Sequence, residues 1–340
     1  MEKRLELIAF CLSIILVFAL TIFLSFIFYA HRTCNDGTPY DKCSGITPYF
    51  CSRGKLIEKA SVCGCGTMQV QGESCLSAYQ EEPKNITLEY VLRGRKGEID
   101  FVVYGKLAEN LSQISRYANL KENPSLLSFK LKMINNQEQR ELLLPLVVEI
   151  EKITKDKTDQ ARIAISLVQK IPFGSSDKKL KVGNIDVDYQ RYPYEVLYDM
   201  EAICSEKSEL MIFLLRELGY STSSLYYNLE NHEAVGIKCP SKRANAGEFC
   251  FIETTGPSII SDDRTEYFGI VDKLISIPIV TNISEGMSLG ENIYEYNDAE
   301  TLADIRDDMR KYGTINPVQY LQFKNLERKY GLLNPDEYTF

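Results

Sequence analysis

Glu201-Ala-Ile-Cys204-Ser-Glu-Lys-Ser-Glu-Leu210-Met-Ile-Phe-Leu-Leu215-Arg-Glu-Leu-Gly219 places a lone cysteine where a helix begins. Met211, Leu214, Leu215 and Leu218 recur at helical spacing, which predicts a helix over about Ser205–Leu218 capped by Gly219. The unsatisfied N–H groups and positive dipole end of such a helix favour a thiolate at Cys204. They also offer donors to an oxyanion.

A thiol nucleophile needs a base, and the chain has 2 histidines. His31 lies near the N-terminus, whereas His232 stands at the mouth of an expected strand, Glu233–Lys238. Further on, Phe249-Cys-Phe-Ile-Glu253-Thr-Thr255 reads as an antiparallel partner. Alternation puts Phe249, Phe251 and Glu253 on one face, and an acid on an apolar face needs a partner such as an imidazolium. Taken singly, each residue has a plainer reading: a core or disulfide cysteine, a satisfied histidine, a solvated glutamate. Taken together, Cys204, His232 and Glu253 point to cysteine-based acyl chemistry. That chemistry requires no metal and no organic cofactor.

Working outward, two helices are expected over Gln137–Thr154 and about Asp159–Ile171, stopped by Pro172. Residues 84–104 read as a β-hairpin about a glycine-containing turn. A polar loop covers 174–193, further strands lie near 223–227 and 274–280, and helices near 299–312 and 317–330 close the chain.

Residues 34–75 contain six cysteines, Cys34, Cys43, Cys51, Cys63, Cys65 and Cys75, among many glycines and few large aliphatic residues. Burial alone does not hold such a segment, so cross-links are expected. A zinc site is the competing reading, but the segment has no Cys-x-x-Cys pair and no histidine. Cys239 and Cys250 flank a polar loop and are placed to bridge if their strands form a hairpin. Cys204 is then the odd cysteine of this part of the chain.

Leu7–Ala30 is uncharged and apolar over 24 residues, long enough for one membrane-crossing helix. The cysteines, with sequons at Asn85, Asn110 and Asn282, orient the remainder toward an oxidising exterior. The expectation is therefore a single-pass protein of the cell membrane whose C-terminal part lies outside the cytoplasm. The expected divisions are 1–33 anchor, 34–80 cysteine-rich module, 84–135 β-rich connection, 136–285 core and 286–340 helical extension. A net charge of −8 argues against nucleic acid as a partner.

Three stretches carry a resemblance. Pro193-Tyr-Glu-Val-Leu, followed by Cys204-Ser-Glu-Lys-Ser and Leu214-Leu-Arg-Glu-Leu-Gly219, resembles the nucleophile segment of the transglutaminase-like superfamily, a branch of the papain-like fold. Asn231-His-Glu-Ala-Val-Gly236 resembles its histidine strand, and Val168-Gln-Lys-Ile-Pro-Phe173 the helix end before its active site. The resemblance spans roughly residues 158–260. It implies an α+β core with an antiparallel sheet, Cys204 as nucleophile, His232 as base, Glu253 as orienting acid, and a protein or peptide substrate. The anchor, cysteine module and hairpin are similar to membrane-bound archaeal members. Two departures stand out: the third residue is usually aspartate, and the chain has no tryptophan for an oxyanion contact. Gln190, Tyr192 and Tyr194 are the substitute donors considered. The alternative is an inactive scaffold of the same fold that binds protein or glycan.

Overall fold

Cysteine density and hydrophobic patterning divide the chain in two. The computed structural model describes residues 14, 16–21, 32–114, 126–182, 185–264 and 274–332. It forms two compact units, Met1–Leu76 and Ser77–Phe340.

The membrane helix expected over 7–30 is corrected. Among the described residues no helix is long and apolar enough to cross a membrane. Of that stretch, 14 and 16–21 are described, as helix with exposed side chains. The rest of it lies outside the described residues.

In the first unit, β1 (Tyr49–Ser52) and β2 (Lys55–Glu58) pair across Arg53-Gly54, both at positive φ. That backbone matches the strand twist of a two-residue hairpin loop. A single helical turn, α1 (Ala60–Cys63), leads to a second small hairpin of β3 (Gln69–Gln71) and β4 (Ser74–Leu76). Pro48, Tyr49, Leu56 and Ala60 are its buried residues other than cysteine and serine among those described. Disulfides supply the rest: Cys34–Cys51, Cys43–Cys63 and Cys65–Cys75.

The second unit begins with a long hairpin, β5 (Pro83–Leu92) and β6 (Arg95–Tyr104), closed at Arg93-Gly94. Ile86, Leu88, Ile99, Phe101 and Val103 alternate into the core. Helices α2 (Gly105–Gln113), α3 (Leu126–Ile134), α4 (Gln137–Ile153) and α5 (Lys157–Lys170) follow. Asn136 and Asp156 cap the last two by accepting from Gln139 and Asp159 backbone N–H groups. Pro145 sits inside α4 and the helix continues through it.

The expected polar loop contains a short hairpin, β7 (Lys179–Val182) and β8 (Ile185–Asp188). Then come α6 (Pro193–Asp199) and α7 (Cys204–Glu217). Strands β9 (Thr222–Tyr227), β10 (His232–Lys238), β11 (Phe249–Ile252) and β12 (Ile279–Ser284) form one antiparallel sheet in the order β11-β10-β9-β12. The fourth strand starts later than the 274–280 expected. Cys239–Cys250 ties β10 to β11. Helices α8 (Glu295–Tyr312) and α9 (Pro317–Tyr330) end the described chain.

The core is built around α7. From Glu206 to Leu215 every side chain is buried, with the sheet on one side and α5 and α6 among its other neighbours. A helix enclosed in this way must satisfy its polar residues internally, and that requirement shapes the site.

Candidate active site

Three local devices fix where Cys204 stands. Met200 ends α6 in the left-handed region, turning the chain. Ala202 N–H then donates to the Pro172 carbonyl and Gly174 N–H to the Ala202 carbonyl, pinning the approach to the helix. Glu206 accepts from the Ile203 N–H at 2.9 Å with Oε2, closing the first turn. The same carboxylate accepts from Arg191, through its backbone N–H at 2.6 Å and its guanidinium at 3.1 Å. Burial pushes the Glu206 carboxyl up, opposed by these hydrogen bonds and the Arg191 charge. Cys204 is thus the first residue of α7, half-buried, and free, with no disulfide partner among the described residues.

His232 opens β10, opposite Tyr227 on β9. Asn231, at φ 48°, makes the turn before it; asparagine enters the left-handed region more readily than most residues. Glu253 lies immediately past β11, one step along the register that pairs Val235 with Ile252. His232 Nε2 and Glu253 Oε2 are 2.9 Å apart, and the two residues are 3% and 2% exposed.

The other Glu253 oxygen is fully used. Oε1 accepts from the Thr254 N–H (2.8 Å), the Thr255 N–H (2.8 Å) and the Thr255 hydroxyl (2.7 Å). The longer arm of glutamate curls back onto the two residues that follow it, leaving Oε2 for the imidazole. Burial alone would raise this carboxyl; the His232 charge and the hydrogen bonds from His232 and Thr255 hold it below the ordinary value.

For His232, burial acts to lower the pKa. The Glu253 charge, with hydrogen bonding and charge interaction from Cys204, outweighs it and raises the imidazole to about 10. At neutral pH the ring is therefore an imidazolium. With Nε2 on Glu253, Nδ1 is the nitrogen left for the Cys204 sulfur. The structure brings all three sequence-derived residues into one chain of contacts.

The substitute oxyanion donors are otherwise engaged. The Tyr194 hydroxyl accepts from the Tyr104 N–H at 2.6 Å, and Tyr192 is fully buried. Gln190 Nε2 donates to Glu209 Oε1 at 3.1 Å.

Sequence reasoning missed the polar layer beneath the site. Thr255 and Lys207 support Glu253, and a buried triad joins Lys130 on α3 to Glu209 on α7 (2.9 Å) and Glu233 on β10 (2.8 Å). One signal was present: Glu206-Lys-Ser-Glu209 is an unbroken polar run at the head of a helix whose next six residues are all apolar. Among the described residues no group of His, Cys, Asp and Glu is arranged to hold a metal ion.

An α+β fold with a half-buried cysteine at a helix start, beside a buried imidazolium–carboxylate pair, defines a thiol–imidazole–carboxylate arrangement. No protein-family model and no curated protein matches the chain. Among the solved structures similar to it are two of one bacterial protein. Calcium-bound LapG of Legionella pneumophila is 13% identical over 52% of this chain and 98% of its own, with a TM-score of 0.27. A second LapG structure is 14% identical over 54% and 96%, again at 0.27. A likeness at that score carries no argument about activity, and neither structure supports the resemblance to membrane-bound archaeal proteins.

Proposed function

We propose that this protein is a transglutaminase-like cysteine hydrolase that cleaves amide bonds in protein or peptide substrates. The observation that carries the reading is the buried His232–Glu253 pair at 2.9 Å, interacting with a half-buried free cysteine at the start of α7. The scaffold alternative would be favoured by a sealed cysteine or a glutamate turned from the imidazole, and neither is present.

In the proposed reaction the Cys204 thiolate attacks the amide carbonyl carbon. A C–S bond forms, and the carbonyl π electrons move to oxygen, where N–H groups of the first turn of α7 lie at the positive helix end. Collapse breaks the C–N bond as the His232 imidazolium gives its proton to the departing amine. Water then attacks the thioester carbon as His232 takes its proton; the C–S bond breaks with its electron pair returning to sulfur, so the carboxylic acid leaves and the Cys204 thiolate is restored. Glu253 stays ionised, fixing the ring orientation and stabilising its charged form. Four disulfides support a location outside the cytoplasm, in an oxidising compartment.

The test is the rate of Cys204 alkylation against pH in the full-length chain, followed by trapping with a peptide carrying a thiol-reactive warhead. A rate plateau extending well below the ordinary thiol pKa of about 8.5, lost in His232→Ala, is the expected outcome. Ordinary thiol titration in both proteins would return the fold to a binding role. An added primary amine that diverts the acyl group would shift the assignment from hydrolysis to transfer.

A further inference from the structure

One buried charge has no part in that scheme. Lys207 stands three residues after Cys204 on α7 and is 0% exposed. Its Nζ donates to three backbone carbonyls: Gln169 at 3.2 Å, Ile171 at 2.5 Å and Thr255 at 3.2 Å. Gln169 and Ile171 belong to the C-terminal turn of α5, where carbonyls lack helical partners and the dipole end attracts a cation. Thr255 belongs to the segment that feeds three hydrogen bonds to Glu253 together with Thr254. Gln169 grips the same segment from its side chain, donating to the carbonyls of Glu253 (2.8 Å) and Ser258 (3.3 Å).

We propose that Lys207 is a positioning residue for the thiol site: its ammonium fastens the Thr255 carbonyl to the end of α5, and so holds Glu253 on His232. The inference rests on the proposed thiol chemistry and extends it. Burying an ammonium is costly, and a methionine would fill the same space without that cost. What only the ammonium supplies is three N–H donors for three acceptors.

Burial, opposed by the Glu253 charge, pushes Lys207 down to about 7. Above that pH the neutral amine has two donors for three carbonyls, and the fastening weakens. The ionisable group whose charge acts on it is Glu253, from the segment after β11 and itself paired with His232 at the head of β10; Cys204 and Glu206 share its helix. From α5 it meets the carbonyl oxygens already named.

Two readouts on the full-length chain test this: iodoacetamide alkylation of Cys204 between pH 5 and 10, and 15N-resolved titration of the His232 ring, in wild type and Lys207→Met. The expected result is a fall of about one unit or more in the His232 midpoint, with about tenfold slower alkylation below pH 7. A general loss of packing would lower melting temperature without moving the ring titration. Superimposable profiles in the two proteins overturn the role of Lys207 and leave the thiol reading standing. Absence of a low-pH plateau in wild type overturns the thiol reading itself.

If Lys207→Met does not fold, the unmodified chain still decides. The His232 Nε2–H resonance should change over the same pH interval in which the 15N signal of the Lys207 ammonium titrates, wherever that interval falls. A His232 resonance that is unmoved across the Lys207 titration overturns the proposal.

Discussion

Glu253 accepts four hydrogen bonds, one from an imidazolium and three from its own neighbours. Glu253→Gln keeps the shape but turns an N–H toward His232 or forfeits the Thr255 contacts. Activity on a cleaved peptide should fall by about 10²–10⁴-fold, the range of a lost acid–base function, and the His232 midpoint should drop from about 10. His232 and Lys207 also set opposed pH dependences. His232 is raised from 6.5 to about 10, so its contribution to stability is complete below 6.5 and lost as pH rises to 10. Lys207 is lowered from 10.5 to about 7, so its burial cost is complete below 7 and relieved as pH rises to 10.5. Urea midpoints should therefore change little from these two groups between pH 7 and 10. They should fall with pH in Lys207→Met and rise in His232→Gln. Cys204, His232 and Glu253 were legible because histidine is scarce and one cysteine is left over. Lys207 and Thr255 were not, since a lysine in the first turn of a helix reads as solvated until its surroundings are known.

At the scale of elements, hydrophobic period recovered α4, α5, α7 and the final two helices to within a few residues. It missed α1, α2, α3 and α6, which are short, and placed β12 too early. Ile275 and Ile277 alternate like a strand but are exposed, and pairing with β9 starts only at Ile279. Period gave α7 one apolar stripe, Met211, Leu214, Leu215 and Leu218, whereas neighbours bury every side chain from Glu206 to Leu215 and its polar head forms ion pairs. The Lys130–Glu209–Glu233 triad joins α3, α7 and β10 without reaching solvent. Lys130→Met leaves two buried acids without their cation. The expected cost is roughly 3–5 kcal/mol in urea unfolding, well above that of an exposed lysine.

Over the whole molecule, composition foretold that residues 34–75 would be cross-linked, because so little apolar surface is available there. Which cysteines meet was not legible, since pairing depends on turns such as Arg53-Gly54 that bring distant residues side by side. The Cys239–Cys250 bridge closes a loop with a sequence separation of 11. Replacing both cysteines by alanine should cost about 2–3 kcal/mol by loop entropy, read as a lower urea midpoint with the alkylation profile of Cys204 retained. A further consequence concerns damage. Every described cysteine but Cys204 is already oxidised into a bridge. A peroxide that converts Cys204 to a sulfenic acid therefore finds no described thiol in the chain to resolve it as a disulfide. As far as the described cysteines go, recovery then rests on a small thiol arriving from outside before the next oxidation makes the loss permanent, which ties the protein's working life to the thiol content of the fluid around it.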